Sequence, residues 1–219
     1  MIKVAKPDMS KIRLMLITDD KRSNNRPVEE VVSAAVAGGV RCVQFRPWKP
    51  ADAEYLEKAR ALRKITRNAG ALLIINDRID IASLCHADGV HLGAGDIPIR
   101  DARVLMGDTG VIGYSAHSLE EARHAEEQGA DYVTFSPVFP TTSTSLPRPV
   151  AGPFAALEAD CELSIPMFAL GGVNHENIVE LLDLGMNHAA VVSCITAAPD
   201  VEAAARSLCA IIENETLSS

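Results

Sequence analysis

The stretch SPVFPTTSTSLPRP, residues 136–149, decides how the chain divides. Five hydroxyl residues, Thr141 to Ser145, sit among Pro137, Pro140, Pro147 and Pro149. Such a run is either a flexible linker between two domains or a loop inside one domain. As a loop, its hydroxyls and backbone N–H groups would face a phosphorylated ligand. The flanking sequence chooses between the two. Short β-rich apolar runs recur on both sides, at 13–18, 41–45, 71–76, 89–92, 110–115, 131–136, 166–170 and 188–193. Between them lie helix-period segments such as PVEEVVSAAVAGG, ADAEYLEKARALRKITRNAG, SLEEARHAEEQGA and NHENIVELLDLG, each ending at or near glycine. Three joints read alike, AGGVRCVQF, HADGVHL and QGADYVTF, as consecutive βα units should.

Eight strands alternating with about eight helices imply a parallel sheet and, at this length, an α/β fold of the closed (β/α)8 TIM-barrel type. A doubly wound open sheet is the alternative, but no GxGxxG follows the first strand. The repeat uses every residue from Arg13 to Cys209, so a single barrel domain spanning 1–219 is expected. No room is left for a linker, and residues 141–145 become the loop after strand six.

Composition narrows the function. The 219 residues are 47% hydrophobic, 23% charged and 4% aromatic, with a net charge of −8 and a pI near 5.2. A nucleic-acid surface is not expected of so acidic a chain. To handle phosphate it must gather positive charge locally or borrow a metal ion. Five dispersed cysteines without a CxxC pair point to a reducing compartment. The N-terminal MIKVAKPDMSKIR has no apolar h-region, and no membrane-length apolar run occurs. A soluble, cytoplasmic protein is expected, and an apolar face on the outer helices would suit a homodimer.

A barrel carries its chemistry on the loops after the strands. Those positions hold Thr18-Asp19-Asp20, Gln44-Phe45-Arg46, Asn76-Asp77-Arg78, His91 with Asp96, Ser115-Ala116-His117, the hydroxyl loop, Gly171-Gly172 and Ser193. Gly171-Gly172 allows close backbone approach to a ligand, and Asn174 could cap the next helix so that its N–H groups face an anion. Ser193 and Cys194 follow on the adjacent loop. A mere tight turn is the competing account of these glycines. Asp77 and Asp96 end neighbouring strands, which run about 4.8 Å apart, so their carboxylates could straddle Mg²⁺. Alternatively, Asp77 caps a helix and Asp96 serves a turn. Arg46 ends a buried strand and suits a bidentate contact. Lys21, Arg22 and Arg26 read as solvated surface cations. His117 lies beside a Ser118-x-x-Glu121 capping box, which favours a structural role. No nucleophile triad or HExxH signature appears.

Taken together, LMLITDD, GGVRCVQFR, IINDRIDIASLCHADGVHLGAGD, IGYSAHSLEEARHAEEQGADYVTFSPVFPTT, ALGGV and AAVVSCI resemble thiamine phosphate synthase, from about residue 13 to 195. The related thiazole tautomerase is a more distant match. The resemblance implies a (β/α)8 barrel that joins a pyrimidine methyl diphosphate to thiazole phosphate and releases diphosphate. It implies Mg²⁺ on Asp77 and Asp96, diphosphate on Arg46 and Asn76, and pyrimidine contacts from Gln44 and Ser115. Thr141, Ser143, Gly171, Gly172, Val192 and Ser193 would hold the thiazole phosphate. Its partners would be small phosphorylated substrates.

Two positions depart from the family pattern. Trp48 stands where a lysine is expected after Gln-x-Arg, with Lys49 one residue later, and Thr144 stands where a diphosphate-binding lysine is expected. Losing two contacts to a charged group costs roughly 3–6 kcal/mol, or about 10²–10⁴ in rate. Lys49, Arg148, Lys21 and Arg22 are the available replacements. Three readings follow: a synthase with a rebuilt diphosphate pocket, a non-enzymatic binder of a thiamine-related phosphate, or a tautomerase. The last expects a histidine where this chain has Pro137.

Overall fold

Eight parallel strands pair in sequence order and close, β1 against β8, in a computed structural model that describes residues 5–141 and 148–218, with side chains to 214. Ser143 and Thr144 lie outside the described residues. The strands are β1 (Leu14–Ile17), β2 (Cys42–Phe45), β3 (Leu72–Asn76), β4 (Gly89–Leu92), β5 (Val111–Ala116), β6 (Tyr132–Phe135), β7 (Met167–Ala169) and β8 (Ala189–Val191). Each bound falls within two residues of the sequence expectation. The helices between them are α1 (Val28–Ala37), α2 (Asp52–Asn68), α3 (Ile79–Cys85), α4 (Ile99–Met106), α5 (Leu119–Glu127), α6 (Pro153–Glu162) and α7 (Ile178–Asp183). After β8 come α8 (Ser193–Thr196) and α9 (Val201–Ser218).

Parallel strands under helices are buried on both faces, which is why they read as unbroken apolar runs. Every residue of β1, β2, β4 and β6 is buried. Alternate residues divide between two layers. Met15, Ile17, Ile74, Tyr132 and Phe168 fill the barrel, while Leu14, Leu16, Val43, Leu73 and Val133 pack beneath the helices. Tyr132 fits inside because Gly113 faces it; a Cβ at that glycine would lie 2.1 Å from the phenol ring. Met9, 3% exposed, belongs to the interior layer together with Ile12 and Leu72, and so closes the end where the strands begin.

The repeated joints carry a repeated bond. In HADG, Asp88 accepts from the N–H of Leu73 at 2.8 Å and forms a two-pronged pair with Arg63. In QGAD, Asp131 accepts from the N–H of Ile112 at 2.8 Å and pairs with Arg103 and Lys6. Each carboxylate clips the start of the preceding strand and neutralises a helix-borne arginine. Among the described residues, no helix is long and apolar enough to cross a membrane. Leu84 on α3 and Val104 and Leu105 on α4 are exposed apolar residues on neighbouring helices.

Asp131→Ala orphans a buried strand N–H and strands two cations. We expect a loss of about 2–4 kcal/mol, measured by urea unfolding, with Asp131→Asn losing less. A change below 0.5 kcal/mol would mean that the clip contributes little.

Candidate active site

The strand ends open into one large cavity of about 1240 Å³. Six basic side chains line it (Lys21, Arg22, Arg46, Lys49, Arg78 and Arg148) against two carboxylates, Asp19 and Asp77. A chain of net charge −8 thus concentrates positive charge where a phosphorylated ligand would enter. Among the expected site residues, Arg46, Lys49, Asn76, Asp77, Ser115, Thr141, Gly171, Gly172, Val192 and Ser193 all line this cavity. Gln44 and Asp96 do not. Gln44 is 1% exposed inside the barrel, and Asp96 stands behind Asp77.

Arg46 leaves β2 on a fixed backbone, because its N–H donates to Thr18 Oγ1 at 2.9 Å. Burial pulls its guanidinium below the usual value, while Asp19 and Asp77 oppose that shift. Tyr55, which sequence reasoning missed, reaches in from α2. Its hydroxyl lies 3.2 Å from the Phe45 carbonyl and 2.9 Å from the Asn76 carbonyl, and its ring meets Phe45 edge-on. One hydroxyl therefore ties together the ends of β2 and β3, next to Arg46 and Asp77. A tyrosine in a charged helix carries no sequence mark for such a role.

Asp77 occupies the left-handed region at φ +61°, held by its N–H bond to the His91 carbonyl at 2.8 Å. That backbone turns its carboxylate toward Asp96, which accepts from the N–H of Gly93 at 2.7 Å. Loss of solvent and repulsion from Asp96 raise Asp77 to about 6, against the pull of Arg46. Among the described residues no cluster of three or more metal-ligating side chains exists. Two converging carboxylates with oxygen donors only suit a hard dication that completes its shell with water and substrate phosphate, which is the habit of Mg²⁺.

Beneath the cavity runs a buried chain of hydrogen bonds. The Gln44 amide donates to Met15 Sδ at 3.9 Å inside the barrel. Tyr132 lies 3.0 Å from His91 Nδ1, and His91 Nε2 lies 2.9 Å from Ser115 Oγ. Burial, helped by the charge of Arg46, pushes His91 down to about 3, so the ring is neutral with one N–H. With one N–H, the ring donates to one of Tyr132 and Ser115 and accepts from the other, which fixes Ser115 at the cavity wall.

The opposite wall is backbone. Val138 and Phe139 donate to the carbonyls of Leu170 and Gly171 at 2.9 Å, which lays the loop after β6 on the loop after β7. Both glycines have positive φ, and a Cβ at either would lie within 2.7 Å of that loop. Their first duty is thus loop-on-loop contact. Asn174 spends its side chain on the N–H groups of Glu176 and Asn177 at 2.8 and 3.2 Å. It folds a turn ahead of α7, so the expectation that these N–H groups face an anion is corrected. Cys194 lies on the same wall, with its thiol pushed up to about 12 by burial and therefore protonated. His117 bonds the Ser136 carbonyl through Nδ1 at 2.7 Å, its backbone N–H donates to the Glu121 carboxylate, and the Glu121 N–H donates to Ser118 Oγ, which caps α5.

The basic residues differ in what already holds them. Arg22 pairs with Asp19 at 2.7 Å, and Arg78 with Asp52 and Asp80. Arg26 bonds the carbonyls of Thr196 and Ala198 and is structural. Lys21, expected to be merely solvated, places its ammonium 3.3 Å from the centroid of the Trp48 ring. An exposed contact of this kind contributes about 0.5–1 kcal/mol, less than the roughly 1.5–3 kcal/mol of a hydrogen bond to a charged group.

Fold and site together define a (β/α)8 barrel enzyme whose charged cavity side chains are mostly basic. The thiamine monophosphate synthase family profile matches residues 14–195. A Geobacter sulfurreducens protein is 44% identical over 97% of this chain and 99% of its own length. Thiamine-phosphate synthase from Chloroflexus aurantiacus is 40% identical, covering 91% of this chain and 92% of its own. The solved thiamine phosphate pyrophosphorylase of Pyrococcus furiosus superposes with a TM-score of 0.85 at 37% identity, covering 94% of this chain and 97% of that one. The chain belongs to the thiamine monophosphate synthase family, and is a transferase of that kind.

The carboxylate pair gives a direct test. A folded-state value of about 6, against 3.8 ordinarily, means that its contribution to stability is present at low pH and is lost as pH rises through 6. Asp77→Asn keeps a residue tolerant of positive φ and removes the repulsion. In thermal melts at pH 8 without metal, Asp77→Asn should melt above the parent protein, and Mg²⁺ should stabilise the parent alone. Equal Mg²⁺ stabilisation of both would refute the pairing.

Proposed function

We propose that the protein condenses 4-amino-2-methyl-5-hydroxymethylpyrimidine diphosphate with thiazole phosphate, giving thiamine phosphate and diphosphate. The observation that carries this reading is the polarity of the cavity. A guanidinium and a carboxylate pair meet at one end, a glycine-backed wall stands at the other, and no activated nucleophile lies between them among the described residues. A reaction between two bound phosphates needs such ends and no covalent partner.

The methylene C–O bond breaks with both electrons leaving on the diphosphate. The resulting pyrimidine cation is captured by the lone pair of the thiazole nitrogen, and no proton is transferred. Arg46 and Asn76 bind the diphosphate as charge develops on its bridging oxygen. When bound, Mg²⁺ on Asp77 and Asp96 would neutralise the leaving diphosphate. Ser115, held 2.9 Å from His91 Nε2, contacts the pyrimidine and fixes the ring's orientation. Val192, Ser193, Gly172 and Thr141, with Ser143 beyond the described residues, hold the thiazole phosphate. Positioning contributes as much as electrostatics here, since alignment of two bound reactants lowers the barrier by entropy alone.

The test is turnover with both substrates and Mg²⁺, following both products. Thiamine phosphate and diphosphate should appear in equal amounts and cease with EDTA. Arg46→Ala should lose about 10²-fold or more in kcat/KM. Absence of product above the uncatalysed background would sink the proposal.

A further inference from the structure

We propose that Lys21 and Trp48 form a second diphosphate contact, with the ammonium of Lys21 leaving the indole face for the diphosphate when substrate binds. This rests on the reaction proposed above and names a residue that supplies charge to its leaving group. Lys21 Nζ lies 3.3 Å from the ring centroid, and both residues line the cavity that Arg46 and Asp77 share. Two neighbouring cations, Arg22 and Arg78, are less free to move. Arg22 is held by Asp19, and Arg78 by two carboxylates, so engaging a ligand would break an ion pair. Lys49 lies farther from the same ring, at 5.7 Å.

The loop that carries Lys21 is fastened to the loop that carries Arg46. The Trp48 N–H donates to Asp20 at 3.3 Å, the Lys21 N–H donates to Asp19 at 3.0 Å, and the Arg46 N–H donates to Thr18. The side chain therefore swings from a fixed base. Its resting partner is a neutral π face, which holds the ammonium over the cavity mouth without forming a competing salt bridge. A charged phosphate oxygen is the stronger partner. Trp48 is 53% exposed, so it can release the lysine without opening the core.

Trp48 is the only tryptophan of the chain, so its emission reports the exchange. Inorganic diphosphate titrated with Mg²⁺ should change that emission saturably. Lys21→Ala should weaken diphosphate binding and raise KM for the pyrimidine diphosphate by about tenfold, leaving KM for thiazole phosphate unchanged. Lys21→Arg should retain most of the affinity. Lys64→Ala, an exposed lysine on α2, controls for net charge and should shift neither quantity. If Lys21→Ala binds diphosphate as tightly as a protein that turns over normally, the contact is overturned and the proposed reaction stands. If the unmodified protein shows no turnover, the reaction fails, and the diphosphate titration still decides for or against the contact.

Discussion

Closure of the barrel is the constraint on which everything at its rim depends. β1 pairs with β8, and the first and last loops are sewn together above that seam. Arg26 bonds the carbonyls of Thr196 and Ala198, Asn24 that of Ala197, and Thr196 Oγ1 donates to the Arg22 carbonyl. The suture sets the loop of Asp19 to Arg22 beside the wall of Val192 to Cys194. Residues nearly the whole chain apart thus share one cavity, and an open sheet would separate them.

Around that cavity the electrostatics are divided. The chain as a whole is acidic, while the charged side chains of the cavity wall are mostly basic. Asp77 and Asp96 break the pattern, and they do so at a cost visible in the raised affinity of Asp77 for a proton. Two carboxylates forced together beside Arg46 suit the dication and diphosphate of the proposed reaction. The buried line from Tyr132 through His91 to Ser115 runs from the barrel core out to the cavity wall.

The strands and their order were legible because a parallel strand under helices must be apolar on both faces, and the joints HADG and QGAD repeat the same backbone clip. Rim residues were legible for a related reason, since the first polar position after each apolar run lies where the strand ends. Residues whose roles depend on contacts between distant segments escaped. Tyr55 ties two strand ends from the middle of a helix, and nothing local distinguishes it from a core tyrosine. Gly171 and Gly172 suggest room for a ligand, yet their Cβ positions are closed by the loop after β6. Asn174 looked like a helix cap and forms a turn of its own. Lys21 gains its partner only once the β1 and β2 loops are side by side.

The central claim is that one cavity has a diphosphate end and a phosphate end. A crystal structure grown with Mg²⁺, diphosphate and thiamine phosphate tests it most directly. Diphosphate should lie between Arg46 and the Asp77–Asp96 pair, with the phosphate of the product against Gly172 and Ser193. Both phosphorylated groups at one end, or diphosphate bound away from Arg46, would contradict the account.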